Sequence, residues 1–498
     1  MPNTRVPVNN TYQTQQVPLI KELNSRSINT NKDDDFVNCF PELVMNRLTK
    51  DDHFHLIKRS GSTQFIASTD SGGVRGMYYW KDQSEIYVSI LNKMYVYNAD
   101  TGALITTLAA IFGTTTGKVG FTEFLYDTGV TKLVVTDGTT LSTIDTAHTV
   151  VPNVDADMPV HVPEPLFLDG YIFVLKVNTA DVYNSDLNDP LAWTAGNFIT
   201  AEMFADRASH IAKINNYMLI FGAKSIEYFW DAGITPGSPM QRNDTPVKLN
   251  GIYGGMAQFG NRIYFVGNQS ESEPDVFMLE DFKITNVGNG AIRRHLASLT
   301  GTWATELQAG VISIDGHNFY VLDTGTATYA LILDVGNAPY MMSMDVNLWF
   351  RLIYQNGTRF NISNVLNIGT AGNYKSIFTL DTGQAIYKFD PSLYQDNGTN
   401  FTASVVTEHL DFDTYNQKTM SQLIVWADRP PGTAPILVQW TDDDYQTYNT
   451  GLSVDLNQEY AQIQRLGRFR RRAFKLTYTN NQPMRLKLLE VDVNIGST

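Results

Sequence analysis

The chain has 498 residues and 55.8 kDa, with 37 basic against 51 acidic side chains and a formal charge of −14. An apolar fraction of 43% excludes global disorder, and no apolar run approaches the ~18 residues of a membrane helix. A single cysteine, Cys39, excludes an intramolecular disulfide, and the acidic balance argues against a broad grip on a nucleic-acid backbone.

Residues 1–18 are Asn, Thr, Gln and Pro with little apolar periodicity, which predicts an extended arm. They hold one Arg and no apolar h-region, so no secretory signal is expected. Lacking a core of their own, residues 1–35 are expected to order only by lying on a neighbouring chain. In the segment Phe36–Leu48, Pro41 argues against a regular strand centre.

From about Thr63 the pattern changes to short strands and tight turns. A polar turn followed by an aromatic-rich run recurs at Asp82, Gly129, Asp169, Asn215, Gly260, Asp315 and Asn373. The gaps between these anchors are 47, 40, 46, 45, 55 and 58 residues, and four-stranded propeller blades run to ~40–50. The alternation in Met94-Tyr95-Val96-Tyr97 has period two, and Asp-Gly, Asn-Asn and Thr-Gly mark the turns. The fold class is therefore all-β, a propeller of six or seven blades. Pro-rich stretches at 151–165 and 234–246 fit crossings or projecting loops. From about Asn400 the β segments lengthen, which predicts a C-terminal β-sandwich-like domain. The expected organisation is an arm and lead-in segment over 1–62, a propeller over 63–395 and a C-terminal β domain over 396–498.

No catalytic constellation emerges. There is no G-x-S-x-G, H-E-x-x-H, Walker loop or dinucleotide fingerprint, so neither catalytic residues nor a cofactor is expected. His53 and His55 share one strand face but lack the third and fourth ligands of a metal site. The segment Thr441 to Tyr448 is similar to the Asp-box hairpin of sialidase-like propellers, with Tyr445 where glycine is usual. Thr441, Asp443, Thr447 and Tyr448 then read as a structural turn, the carboxylate satisfying turn amides. A carbohydrate-binding or sialidase-like propeller is the alternative reading, and no spacing singles out its acid pair. The densest charge is Arg465, Arg468, Arg470, Arg471, Arg472 and Lys475, interleaved with Phe469 and Phe474. On one continuous strand, Arg468, Arg470 and Arg472 would share a face. Three readings stay open: a charged edge strand, phosphate contact with DNA, and ion pairs across an interface with a neighbouring subunit.

A resemblance appears at these residues. Gly467 to Arg471 (G-R-x-R-R), with Phe474-Lys475-Leu476, resembles the C-terminus of packaged-DNA stabilisation, or tail nozzle, proteins of short-tailed bacteriophages. Phe221 to Phe229 resembles that family's F-G-x-x-x-I-E-Y-F segment, and Asn38 to Glu42 its N-x-[FY]-P-E segment. The resemblance implies a non-enzymatic virion protein of the tail, built round a propeller and assembled in the host bacterial cytoplasm. It implies a homohexameric nozzle or hub below the portal–adaptor that helps retain and then release the packaged genome. Implied partners are the adaptor above, fibre, tailspike or tip proteins around or below, and double-stranded DNA passing without sequence-specific binding. No membrane contact, metal or cofactor is implied.

Overall fold

In the computed structural model the described residues are 13–17, 19, 36–45, 52–67, 70–248, 250–269, 272–299, 307–333, 348–370, 373–381 and 383–496. Most of the expected N-terminal arm lies outside them. The chain forms two compact units, one of residues 64–327 and 361–389, the other of residues before 64, 328–360 and 390–498.

The first unit is a ring of seven blades. Blade 1 is an antiparallel meander of Val74–Trp80, Glu85–Ile90, Lys93–Asn98 and Leu104–Leu108. Four further four-stranded meanders follow at 120–152, 166–200, 208–248 and 250–286. The hairpin Gln308–Ile314 and His317–Asp323 begins blade 6, and Ile362–Thr370, Asn373–Leu380 and Ile386–Asp390 form blade 7. Its last strand comes from the other end of the sequence: the strand Gly61–Ile66 lies beside Ile386–Asp390. Ile66 packs there with Ile368, Ile377 and Ile386, and the same cluster takes in Ile86, Val88 and Tyr97 of blade 1. A strand from the start of the propeller thus closes the ring.

Apolar side chains are shared between blades 1 and 2, 2 and 3, 3 and 4, 4 and 5, and 7 and 1. Trp80 and Val96 of blade 1 meet Leu133 and Val135 of blade 2, and Leu219 and Tyr228 of blade 4 meet Ile263 and Phe277 of blade 5. Period-two strands dictate this, because alternate side chains face opposite neighbours. Six of the seven sequence anchors fall at the turn joining the first and second strands of a blade, and the seventh, Asn373, is the first residue of a second strand. Asp169, Asn215, Gly260 and Asp315 have φ between 49° and 58° there, a left-handed region that Asp, Asn and Gly tolerate best. The longer gap before Asp315 accommodates a helix, Gly290–Ser298, capped by Asn289, whose side chain accepts from Ile292 N–H at 2.9 Å.

The second unit is built from two sheets. One runs Cys39–Met45, Asp52–Lys58, Arg485–Ile495, Lys418–Ala427, Gln462–Phe469 in spatial order. Pro41 sits inside its first strand, contrary to the sequence expectation, because that strand is an edge and its open side needs no donor from Pro41. The other sheet contains Ala403–Val406, Ala473–Tyr478, Pro435–Thr441 and Leu452–Asp455. Phe40 meets Phe350 at 5.9 Å between ring centroids across the two. A buried polar knot ties distant segments of this unit. Arg59 donates from Nη1 and Nη2 to Asp396 at 3.0 and 2.5 Å and from Nε to Asn38 Oδ1 at 3.0 Å. Asn38 in turn donates to the carbonyls of Ile353 and Thr402, which gives the Asn38 to Glu42 segment a structural task.

Residues Gln13–Val17 form an antiparallel ladder with 489–493 of the C-terminal strand, Thr14 opposite Asp492. Part of the arm therefore orders on its own chain, against the expectation that it needs a neighbour.

Candidate functional site

Two places gather polar side chains: the axis of the propeller and the arginine hairpin of the second unit. The axis encloses a cavity of about 230 Å³, lined by blade-opening residues that include Met77, Val119, His210, Met256, Ala309 and Val365. The blades approach closely there. A Cβ on Gly120 would fall 2.1 Å from the Pro163 carbonyl oxygen, so only glycine fits. Arg75 borders the cavity and is spent internally. Its Nε, Nη1 and Nη2 donate to the carbonyls of Gly117, Leu91, Thr114 and Thr116 and to Thr114 Oγ1, which fixes the crossing to blade 2. His210 Nδ1 lies 2.8 Å from Glu164 Oε1. Sequence reasoning found neither Arg75 nor this pair, because the partners lie on different blades and no local spacing links them.

The arginine run is a turn rather than one strand. Strand Gln462–Phe469 ends before Arg470, Arg470 and Arg471 bend, and Arg472 bridges Leu410 before strand Ala473–Tyr478 begins. Arg468, Arg470 and Arg472 consequently do not share a face. Arg472 is 2% exposed and grips Asp442 with two bonds of 2.8 Å from Nε and Nη2, while Nη1 donates to the Leu466 carbonyl at 2.7 Å. Its guanidinium lies 4.4 Å from the Phe469 centroid and 5.4 Å from that of Trp440. Arg471 pairs with Asp444. The acidic triplet Asp442–Asp444 and the arginine run, separate signals in the sequence, are thus one assembly inside a single chain.

The remaining cations differ. Arg470 donates to the Tyr415 carbonyl at 2.6 Å, and Lys475 Nζ lies 5.5 Å from the Tyr448 ring. Arg465 and Arg468 are exposed and have no carboxylate partner among the described residues. Lys418 supports the bend from below, its Nζ donating to the carbonyls of Thr414, Asn416 and Arg470. The Asp443 carboxylate accepts from Thr441 Oγ1 at 2.6 Å and from Thr447 N at 2.9 Å. The Thr441 and Thr447 bonds hold its pKa down to about 2. Tyr445 takes the glycine position with φ 65°, and its buried ring and a hydroxyl bond to the Thr407 carbonyl offset that strain.

The Phe221 to Phe229 segment is likewise structural. It is the tight hairpin of blade 4, capped by Asp206, which accepts from Lys224 N and Ser225 N at 2.7 and 3.2 Å. Glu227 points inward and accepts from Met203 N at 3.0 Å. Burial pushes its pKa up, while Arg242, 3.6 Å away, opposes that rise.

The fold and these sites define a seven-bladed β-propeller whose polar clusters hold its own turns and crossings. A family model described as bacteriophage P22 Gp10, beta-propeller, matches residues 15–357, and the chain belongs to this family. It is a structural protein of the phage tail. No curated protein sequence matches it significantly. Similar solved structures include a virginiamycin B lyase from Staphylococcus aureus, 12% identical over 66% of this chain and 98% of that one, with a TM-score of 0.42. The WD40 domain of Neurospora crassa Pan2 is 9% identical over 67% and 94%, with a TM-score of 0.41. The N-terminal domain of Nup159 is 10% identical over 71% and 99%, with a TM-score of 0.40. Likeness at this level bears on no individual residue.

Proposed function

We propose that six copies of this chain form a nozzle or hub of the tail below the portal–adaptor, part of the channel that retains and then releases the packaged genome. The observation that carries this reading is the family match over residues 15–357. Its role is mechanical rather than catalytic, and it assembles in the host bacterial cytoplasm. The adaptor lies above, with fibre, tailspike or tip proteins around or below.

The duplex runs between the copies rather than through a propeller. The axial cavity, about 230 Å³ and lined by residues of all seven blades, is far too small for a duplex. Acidic surfaces facing the lumen repel phosphates over about one Debye length, ~8–10 Å, so DNA slides without sticking.

A density map of the virion tail tests the proposal by locating the chain and counting its copies. Six copies around the tail axis are expected. A single copy, or copies placed at fibre tips, would refute it. Shortening of host polysaccharide by the purified protein would favour the carbohydrate-cleaving reading instead.

A further inference from the structure

We propose that the arm strand Gln13–Val17 is an exchangeable strand, donated in the assembled ring to the C-terminal strand of the neighbouring copy. This rests on the ring of copies proposed above.

The C-terminal strand Arg485–Ile495 has two partners along one edge. Residues 485–486 pair with Ile57 and Leu56, and residues 489–493 pair with the arm strand. Its other edge is covered by Lys418–Ala427. Without the arm, five residues of backbone would lie open beside the core side chains Leu489, Val491 and Val493, which are at most 1% exposed. Such an edge is a template for a strand from another chain.

The arm strand is shaped to fill that template and is lightly held. Gln13, Thr14, Gln15 and Gln16 are exposed, whereas Val17 and Leu19 are buried at 3% and 6%. One side-chain bond adds register, Thr14 Oγ1 donating to Asp492 Oδ1 at 2.7 Å. Every one of these contacts is the same whichever copy supplies the strand. Cis and trans pairing then differ only in the connection, which is 16 residues long, from 20 to 35. At ~3.3–3.6 Å per residue those positions span up to ~60 Å, about twice the ~30 Å diameter of a small domain. In a cyclic ring each copy gives one strand and receives one, so the exchange closes on itself.

The test uses two single-cysteine variants, Thr14→Cys and Asp492→Cys, each with Cys39→Ser, co-expressed during infection so that both enter the same tails. Thr14 and Asp492 are register partners, so oxidation joins them wherever the ladder forms. Exchange predicts a covalent dimer on a non-reducing gel of purified tails, because only trans pairing brings the two variants together. The double variant, Thr14→Cys with Asp492→Cys, should give a ladder of linked chains. Six-copy tails that yield no dimer from the mixture, and only internally looped monomers from the double variant, overturn the exchange and leave the ring intact. Tails holding one copy overturn both.

Discussion

At the residue scale, the arginine hairpin separates charge that folds the chain from charge available to others. Arg472 is buried against Asp442, so replacing Asp442 by Ala strands a guanidinium with one carbonyl partner. The expected loss is ~1–3 kcal/mol by urea denaturation, the cost of leaving buried donors unpaired, since the Asp442 side chain itself is 39% exposed. Arg472→Glu should prevent folding of the second unit, whereas Arg468→Glu should shift the midpoint by no more than ~0.5 kcal/mol. Equal effects of the two reversals would contradict the assignment. Lys58 supplies a pH signature. Burial and the adjacent Arg59 lower its pKa to about 7 against the opposing pull of Asp396. The folded state therefore binds this proton more weakly than the unfolded chain, whose lysine titrates near ~10.4. The stability it contributes is full above that pH and is lost as pH falls to about 7. Unfolding midpoints should rise from pH 7.5 to 9.5, by at most ~1.4 kcal/mol per unit, and Lys58→Met should flatten the slope. A wild-type midpoint independent of pH over that range would argue against a buried, weakly protonated lysine.

At the element scale, the closing strand is the critical contact of the propeller. Ile66 is 3% exposed among three isoleucines of blade 7 and packs toward blade 1, while Ile105 on the outer strand of blade 1 is 45% exposed. Ile66→Ala should cost ~2–5 kcal/mol and Ile105→Ala under ~0.5, read from urea midpoints. Comparable losses would mean that the ring is closed elsewhere. The blades were legible because the turn between a blade's first two strands repeatedly takes Asp, Asn or Gly in the left-handed region, at Gly129, Asp169, Asn215, Gly260 and Asp315. The closing strand was not legible, since Gly61–Ile66 finds its partner more than 300 residues away and nothing local marks it. The same holds for Arg59 with Asp396 and for Arg472 with Asp442. Local sequence displays the cation and the acid, but only the topology shows that they meet. Pro41 shows the converse error, a sound rule about strand interiors applied to an edge.

At the scale of the whole molecule, charge decides how such a chain treats DNA. In the proposed ring, six copies at −14 each would carry −84, and the strongest basic cluster has already spent Arg471 and Arg472 on its own carboxylates. That leaves Arg465, Arg468 and Arg470 as the exposed cations of the hairpin. Three phosphate contacts from a single copy would give a salt slope of about −2.7 in log affinity against log salt, since each contact contributes ~0.9, and every further copy that engages would steepen it by as much. A lumen lined with acids would instead leave the duplex unbound at any salt. The assembled ring is expected to leave a short labelled duplex at its free mobility at 50 mM salt. Reversing Arg465, Arg468 and Arg470 together should then leave that result unchanged and act on tail assembly instead. Retention of the duplex with a slope of about −3 or steeper, abolished by the triple reversal, would place the hairpin on the channel wall and make it part of the grip on the genome.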